Sequence, residues 1–173
     1  MRLATPNDAN NLSALATHVF LHTYGDDGVT DDLSAFVLET FEPRQFVRTL
    51  GDVSRAILVE ESCGALIAFS ELAFDSPCPE DSAVTTEVDR FYVSAHFARI
   101  GVGRRLLSAS VDIARERAGS AALWLTVYAG NPAAIAFYYS QGFERVGERW
   151  FELDSAAHLN HVLTLRQATG EQR

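Results

Sequence analysis

Apolar residues recur at helical spacing through Leu12, Leu15, Ala16, Val19 and Phe20, which predicts a first helix with one buried stripe. Thr5-Pro6-Asn7-Asp8 supplies its start: Thr5 as cap, Pro6 in the first turn, Asp8 at the positive end. A short strand, Arg2-Leu3-Ala4, precedes it. After a polar break from Tyr24 to Thr30, Leu33, Phe36, Val37 and Phe41 mark a second helix, and Pro43 restarts a short third one running to about Leu50. The period then changes. Ala56–Glu60 and Ala65–Phe74 are apolar runs around Ser62-Cys63-Gly64, a β-hairpin whose second strand is covered on both faces. Asp75–Thr85, with Pro77 and Pro79, reads as loop.

Glu87–Val93 is a strand, and Gly101 opens a long helix with Val102, Leu106, Leu107, Ile113 and Ala114 on its apolar stripe. Leu123–Tyr128 is a strand, Pro132–Gln141 a helix, and Phe143–Leu153 and His161–Leu165 terminal strands. Helices lie between strands in mid-chain and hairpins at the ends, which implies a mixed α/β sheet. Without repeats or linker-like stretches, residues 1–173 are expected to form one domain.

Composition narrows the partners. The formal charge of −9 argues against nucleic acid and favours cationic small molecules. No apolar run approaches the ~20 residues needed to span a bilayer, and no apolar leader follows Arg2, so no membrane partner and a cytoplasmic setting are expected. Cys63 and Cys78 lack metal-ligand spacing and have no His nearby in sequence. His18, His22, His158 and His161 are scattered, so no metal site is expected.

Between Phe91-Tyr92-Val93 and the long helix stands Arg99-Ile100-Gly101-Val102-Gly103-Arg104. Glycines permit close backbone approach, and a helix start offers free N–H groups to a pyrophosphate. A P-loop would need Lys-Ser/Thr after Gly103, and a dinucleotide fingerprint a glycine at Leu106; neither is present. By itself this Gly-x-Gly is equally a tight turn. Downstream, Asn131-Pro132-Ala133-Ala134-Ile135-Ala136-Phe137-Tyr138-Tyr139-Ser140-Gln141-Gly142-Phe143 has a strong helix start at Asn131-Pro132 and a natural terminator in Gly142.

Together the two segments resemble motifs A and B of the GNAT acetyltransferase superfamily, with Asn131, Ala134, Phe137, Tyr138, Gly142 and Phe143 matching the second. Glu87–Val93 resembles the family's Glu-x-x-Arg-Leu-Tyr-Val strand, with Phe91 in place of Leu. Ala98 departs from the family's Gln or Arg, and Ile100 stands where a basic residue is common. The resemblance implies a mixed, mostly antiparallel central sheet flanked by helices, with splayed middle strands forming the acyl-CoA cleft. It implies acetyl-CoA as acyl donor, held by Phe91, Tyr92, Val93, Arg99, Ile100, Gly101, Val102, Gly103, Arg104, Asn131, Ala134 and Tyr138.

It further implies direct acetyl transfer to a primary amine in a ternary complex. The Phe91 and Val93 backbone would polarise the carbonyl, Tyr138 would protonate the leaving thiolate, and Glu87 matches by position the carboxylate some members use as base, with Asp89 on the same face. Phe20–Tyr24, Asp32–Phe36 and Trp124–Tyr128 are similar to bacterial polyamine (spermidine/spermine) acetyltransferases, and Asp26, Asp27, Asp31, Asp32, Glu39 and Glu42 would suit such an acceptor. A protein N-terminus or lysine, another small amine, and a non-catalytic acyl-CoA-binding module are the alternatives. A homodimer is compatible with the family.

Overall fold

A computed structural model describes residues 1–25, 28–153 and 156–166. The elements are β1 (Arg2–Leu3), α1 (Ala9–Tyr24), α2 (Asp31–Thr40), α3 (Pro43–Gly51), β2 (Arg55–Ser62), β3 (Ala65–Ala73) and β4 (Glu87–Val93). They continue with α4 (Val102–Ala118), β5 (Leu123–Tyr128), α5 (Pro132–Ser140), β6 (Glu144–Leu153) and β7 (Ala156–Leu165). The strands form one seven-stranded sheet in the order β1-β2-β3-β4-β5-β7-β6. Every neighbouring pair is antiparallel except β4 and β5.

One face carries α4 and α5 over Leu106, Leu107, Leu123, Leu125, Phe143 and Leu163. The other carries α1–α3, whose Leu12, Phe20, Leu33 and Phe46, with Phe41 between α2 and α3, pack on Ile57, Val59 and Phe69. β3 lies between both layers and is buried continuously from Ile67 to Ala73, as its largely apolar run predicts. Its hairpin with β2 turns through Cys63 (φ 51°) and Gly64 (φ 79°), the paired left-handed residues of a two-residue type I′ turn.

The first helix begins with a 3₁₀ turn at Pro6–Asp8 with Thr5 at its N-cap, where the Thr5 carbonyl accepts from the Asp8 amide at 2.9 Å. The Asp8 carboxylate in turn accepts from the Thr5 amide at 2.7 Å and from both Nη atoms of Arg2 at 2.8 Å. One local expectation changes. The last strand starts at Ala156 rather than His161. Ala156-Ala157-His158 has little strand propensity, but the antiparallel ladder with β6 extends to Leu153 and carries it into the sheet. Residues 75–85 form the predicted loop, stitched by Ser76 N–H to Thr85 O and Cys78 N–H to Val84 O. No helix among the described residues is long and apolar enough to cross a membrane.

Candidate active site

β4 and β5 touch in register only at Glu87 and Trp124, then diverge. The wedge between them opens into a cleft of about 1050 Å³ that reaches from the start of α4 to the ends of α1 and β5.

A β-bulge aims β4 into this wedge. Glu71 pairs with Arg90 and Leu72 with Val88, so Asp89 is the extra residue. Below the bulge, Thr86 presents its carbonyl to β5, where it accepts from the Trp124 amide at 3.0 Å. Above it, the Ser94 amide donates to Ile67 of β3 at 2.9 Å, so by alternation Tyr92 and Arg90 also face β3. The Phe91 and Val93 N–H groups therefore point toward the departed β5, where no strand among the described residues pairs with them. A regular strand would have aimed them into β3. Bulges next to sites commonly re-aim a strand in this way.

At the other end of the cleft, Arg99 (φ 65°) and Gly101 (φ 87°) both take the left-handed conformation and turn the chain into α4. The amides of the first helical residues, Val102, Gly103 and Arg104, have no helical acceptor and the positive end of the dipole lies beside them. Gly103 differs from Gly101: a Cβ there would stand 3.3 Å from the Phe137 ring, a tight contact that the ring would have to yield to by a few tenths of an ångström. Arg99 and Arg104 line the cleft and make no ion pair among the described residues. Arg105, by contrast, is held by Glu60 and is not free for a ligand. The Ile100 side chain is exposed and Val102 is buried beneath α4, and neither lines the cleft; they can contribute only backbone.

On α5, Asn131 caps the helix by accepting from the Ala134 amide at 3.0 Å, and both residues line the cleft. Tyr138 is 7% exposed, ringed by Phe91, Phe137 and Phe143 at centroid distances of 6.0, 5.3 and 5.4 Å. Burial pushes its phenol well above the usual range, so it is protonated at neutral pH. Its hydroxyl has no protein hydrogen-bond partner among the described residues. Tyr139 points outward and is 46% exposed.

The carboxylate lining the cleft is Asp89, which accepts from Arg55 at 2.7 Å. Glu87 does not line it. Its side chain sits at the closed end of the wedge, half-buried, accepting from the Ser76 hydroxyl at 2.8 Å, and burial raises its pKa. Beneath Asp89 lies a fully buried carboxylate absent from the sequence reading. Glu71 is clasped between Arg55 at 2.5 Å and Arg90, whose guanidinium lies over the Phe41 ring at 5.7 Å. A charged residue inside an otherwise apolar strand was the available signal. Asp31 and Asp32 lie exposed at the start of α2, and Glu42 is paired with Arg44. Asp26 and Asp27 lie outside the described residues. Among the described residues no group of three or more His, Cys, Asp or Glu is placed to hold a metal ion.

The profile of the acetyltransferase (GNAT) family matches residues 22–143. The chain is 27% identical over 169 residues to the N-alpha-acetyltransferase RimI of Mycobacterium tuberculosis, covering 96% of this chain and 90% of that one. Over 51 residues, 30% of this chain and 34% of the relative, it is 49% identical to the [ribosomal protein bS18]-alanine N-acetyltransferase of Escherichia coli. Its fold superposes on the PaiA N-acetyltransferase of Thermoplasma acidophilum, solved with coenzyme A, at TM-score 0.71, with 18% identity over 95% of this chain and 96% of the other. A ribosomal-protein-alanine N-acetyltransferase from Brucella melitensis aligns with the same TM-score at 24% identity, covering 95% and 98%. With the family profile matched over residues 22–143, most of its length, the chain belongs to the GNAT family as an acyl-CoA-dependent N-acetyltransferase.

Proposed function

We propose that this enzyme transfers the acetyl group of acetyl-CoA to the α-amine of a polypeptide N-terminus by direct attack. The observation that carries the chemistry is the pair of unpaired N–H groups at Phe91 and Val93 within a wedge that also holds Tyr138. The pyrophosphate sits on the α4 start between Arg99 and Arg104, and the pantetheine arm runs along β4, flanked by Asn131 and Ala134. The thioester oxygen accepts from the β4 amides as it gains negative charge, a contact of the kind worth roughly 3 kcal/mol.

The amine nitrogen then attacks the carbonyl carbon, a C–N bond forms, and the C–S bond breaks. The Tyr138 hydroxyl gives its proton to the departing sulfur. The amine must arrive neutral and shed a proton as the amide forms; an α-amine of pKa about 7.7–8.0 is roughly a fifth to a third neutral at pH 7.4. Asp89 receives that proton, directly or through water, since it is the carboxylate facing the amine's approach. Glu87, at the closed end of the wedge, is the competing acceptor.

Two observations favour a peptidic acceptor over a polyamine. Asp89 is the one carboxylate among the described cleft residues, and Arg55 already pairs with it, so a multiply charged chain finds no row of anions. Relatives named for N-alpha-acetylation and alanine acetylation point the same way. Following free thiol release with acetyl-CoA and an amine panel tests this. Short peptides with free N-termini should turn over at least tenfold faster than spermidine; the reverse order overturns the assignment.

A further inference from the structure

One end of the cleft is closed by aromatic rings: Tyr24 and Tyr128 line it, and His158 packs against both from behind that lining. Tyr24, the last residue of α1, stacks on Phe20 at 4.5 Å and reaches across to Tyr128, the last residue of β5, at 5.3 Å. His158 of β7 meets both edge-on, at 5.8 Å from Tyr24 and 5.4 Å from Tyr128. Centroid spacings of this size are contact distances, so no slot remains between the rings.

The Tyr128 ring is also held from behind. The Tyr128 ring lies so close over Gly130 that a Cβ there would be 2.5 Å away. Asn160, level with Tyr128 on β7, donates from Nδ2 to the His158 carbonyl at 3.2 Å. Burial, with Tyr128 as a further contribution, pushes the Tyr24 phenol up to about 12, so that ring is uncharged at neutral pH.

We propose that the contact between Tyr24, Tyr128 and His158 is a rigid end wall that selects acceptors with a small group beside the amine. The inference rests on the acetyltransfer reading above. It adds which acceptors fit. An amine approaching the Phe91 and Val93 amides from this face enters between β4 (Asp89, Tyr92) and β5 (Thr126, Tyr128), and the wall bounds the space for its α-substituent. A bulky substituent must displace packed rings, whereas a methyl group need not.

The test compares kcat/KM for two tripeptide amides differing only in a first residue of Ala or Phe, and for n-propylamine against phenethylamine. The wild type should favour the smaller member of each turned-over pair by about tenfold or more. Tyr24→Ala and Tyr128→Ala should each shrink that preference by at least a comparable factor, through a gain on the larger acceptor. Tyr128→Phe, which keeps the ring, should retain it. Heat stabilisation by acetyl-CoA certifies each variant as folded, and Tyr24→Leu or Tyr128→Leu replaces any alanine variant that fails this. No size preference in the wild type, or a preference unchanged in ring-truncated variants that still take acetyl-CoA, overturns the wall. A size preference among the bare amines with no turnover of either peptide would support the wall and overturn the peptidic acceptor. Absence of turnover on all four amines overturns both.

Discussion

Glu87 of β4 and Trp124 of β5 form the one parallel register pair between those strands, and the wedge begins immediately beyond them. The Trp124 indole is fixed there by donating to the Ser76 carbonyl at 2.7 Å, so the closed end is tied to the loop before β4. Glu87 thus faces Ser76 at the closed end, while Asp89 stands on the bulge where the wedge has opened. Asp89→Asn is expected to lower kcat/KM by about 10²-fold or more at pH 7.4, and Glu87→Gln by less than tenfold. If Glu87→Gln is the damaging variant, the amine proton leaves through the closed end and the assignment to Asp89 fails.

Tyr138→Phe should cut kcat by about 10²–10⁴-fold. The ring stays packed among Phe91, Phe137 and Phe143, so the rise in melting temperature on adding acetyl-CoA should survive. A variant with wild-type turnover would remove Tyr138 from the proton step.

Gly103→Asp places a carboxylate at the α4 start and drives it against Phe137. Its expected signature is loss of heat stabilisation by acetyl-CoA, read by differential scanning fluorimetry at saturating ligand. Retained stabilisation would mean that the pyrophosphate lies elsewhere.

Glu71 is completely buried and both its oxygens are taken by arginines. Glu71→Ala leaves Arg90 sunk over the Phe41 and Phe46 rings without its partner. Urea unfolding should show a loss of roughly 3–5 kcal/mol, the usual cost of breaking one side of a buried pair. A loss below 1 kcal/mol would show that Arg90 finds another anion, with nearby Asp89 as the obvious substitute.

Asp8 has its pKa held far below the ordinary carboxylate range, first by the Arg2 guanidinium and then by the Thr5 amide and hydroxyl. A folded-state pKa below the unfolded value, near 3.9, means stability present above about pH 4 and lost progressively as pH falls. Melting temperatures of wild type and Asp8→Asn should therefore converge between pH 6 and pH 2.5. Parallel curves would show that the Arg2 contact contributes nothing.

Much of the architecture was legible because periodicity reports burial directly. The double-faced burial of β3 and the stripe of α4 follow from where the apolar residues fall. The left-handed Gly101 and the Asn131 cap were readable for a related reason, since each depends on residues adjacent in sequence. The early start of β7 was not, because its first residues are held by β6 rather than by their own propensity. Nothing in the sequence beside Arg104 shows that Arg105 is taken up by Glu60 of β2, 45 residues away.

By itself, the sequence determined the order of the elements, the turn into α4 and the pairing of that turn with the Asn131–Phe143 helix. These rest on local backbone preference and on burial, both written into neighbouring residues. Only the tertiary structure decided which carboxylate lines the cleft and which rings meet at its end. A bulge at Asp89 shifts the phase of β4, and a contact from Tyr24 to Tyr128 spans the splayed sheet. Both are relationships between strands and helices far apart in the chain, and no local pattern encodes the distance between them.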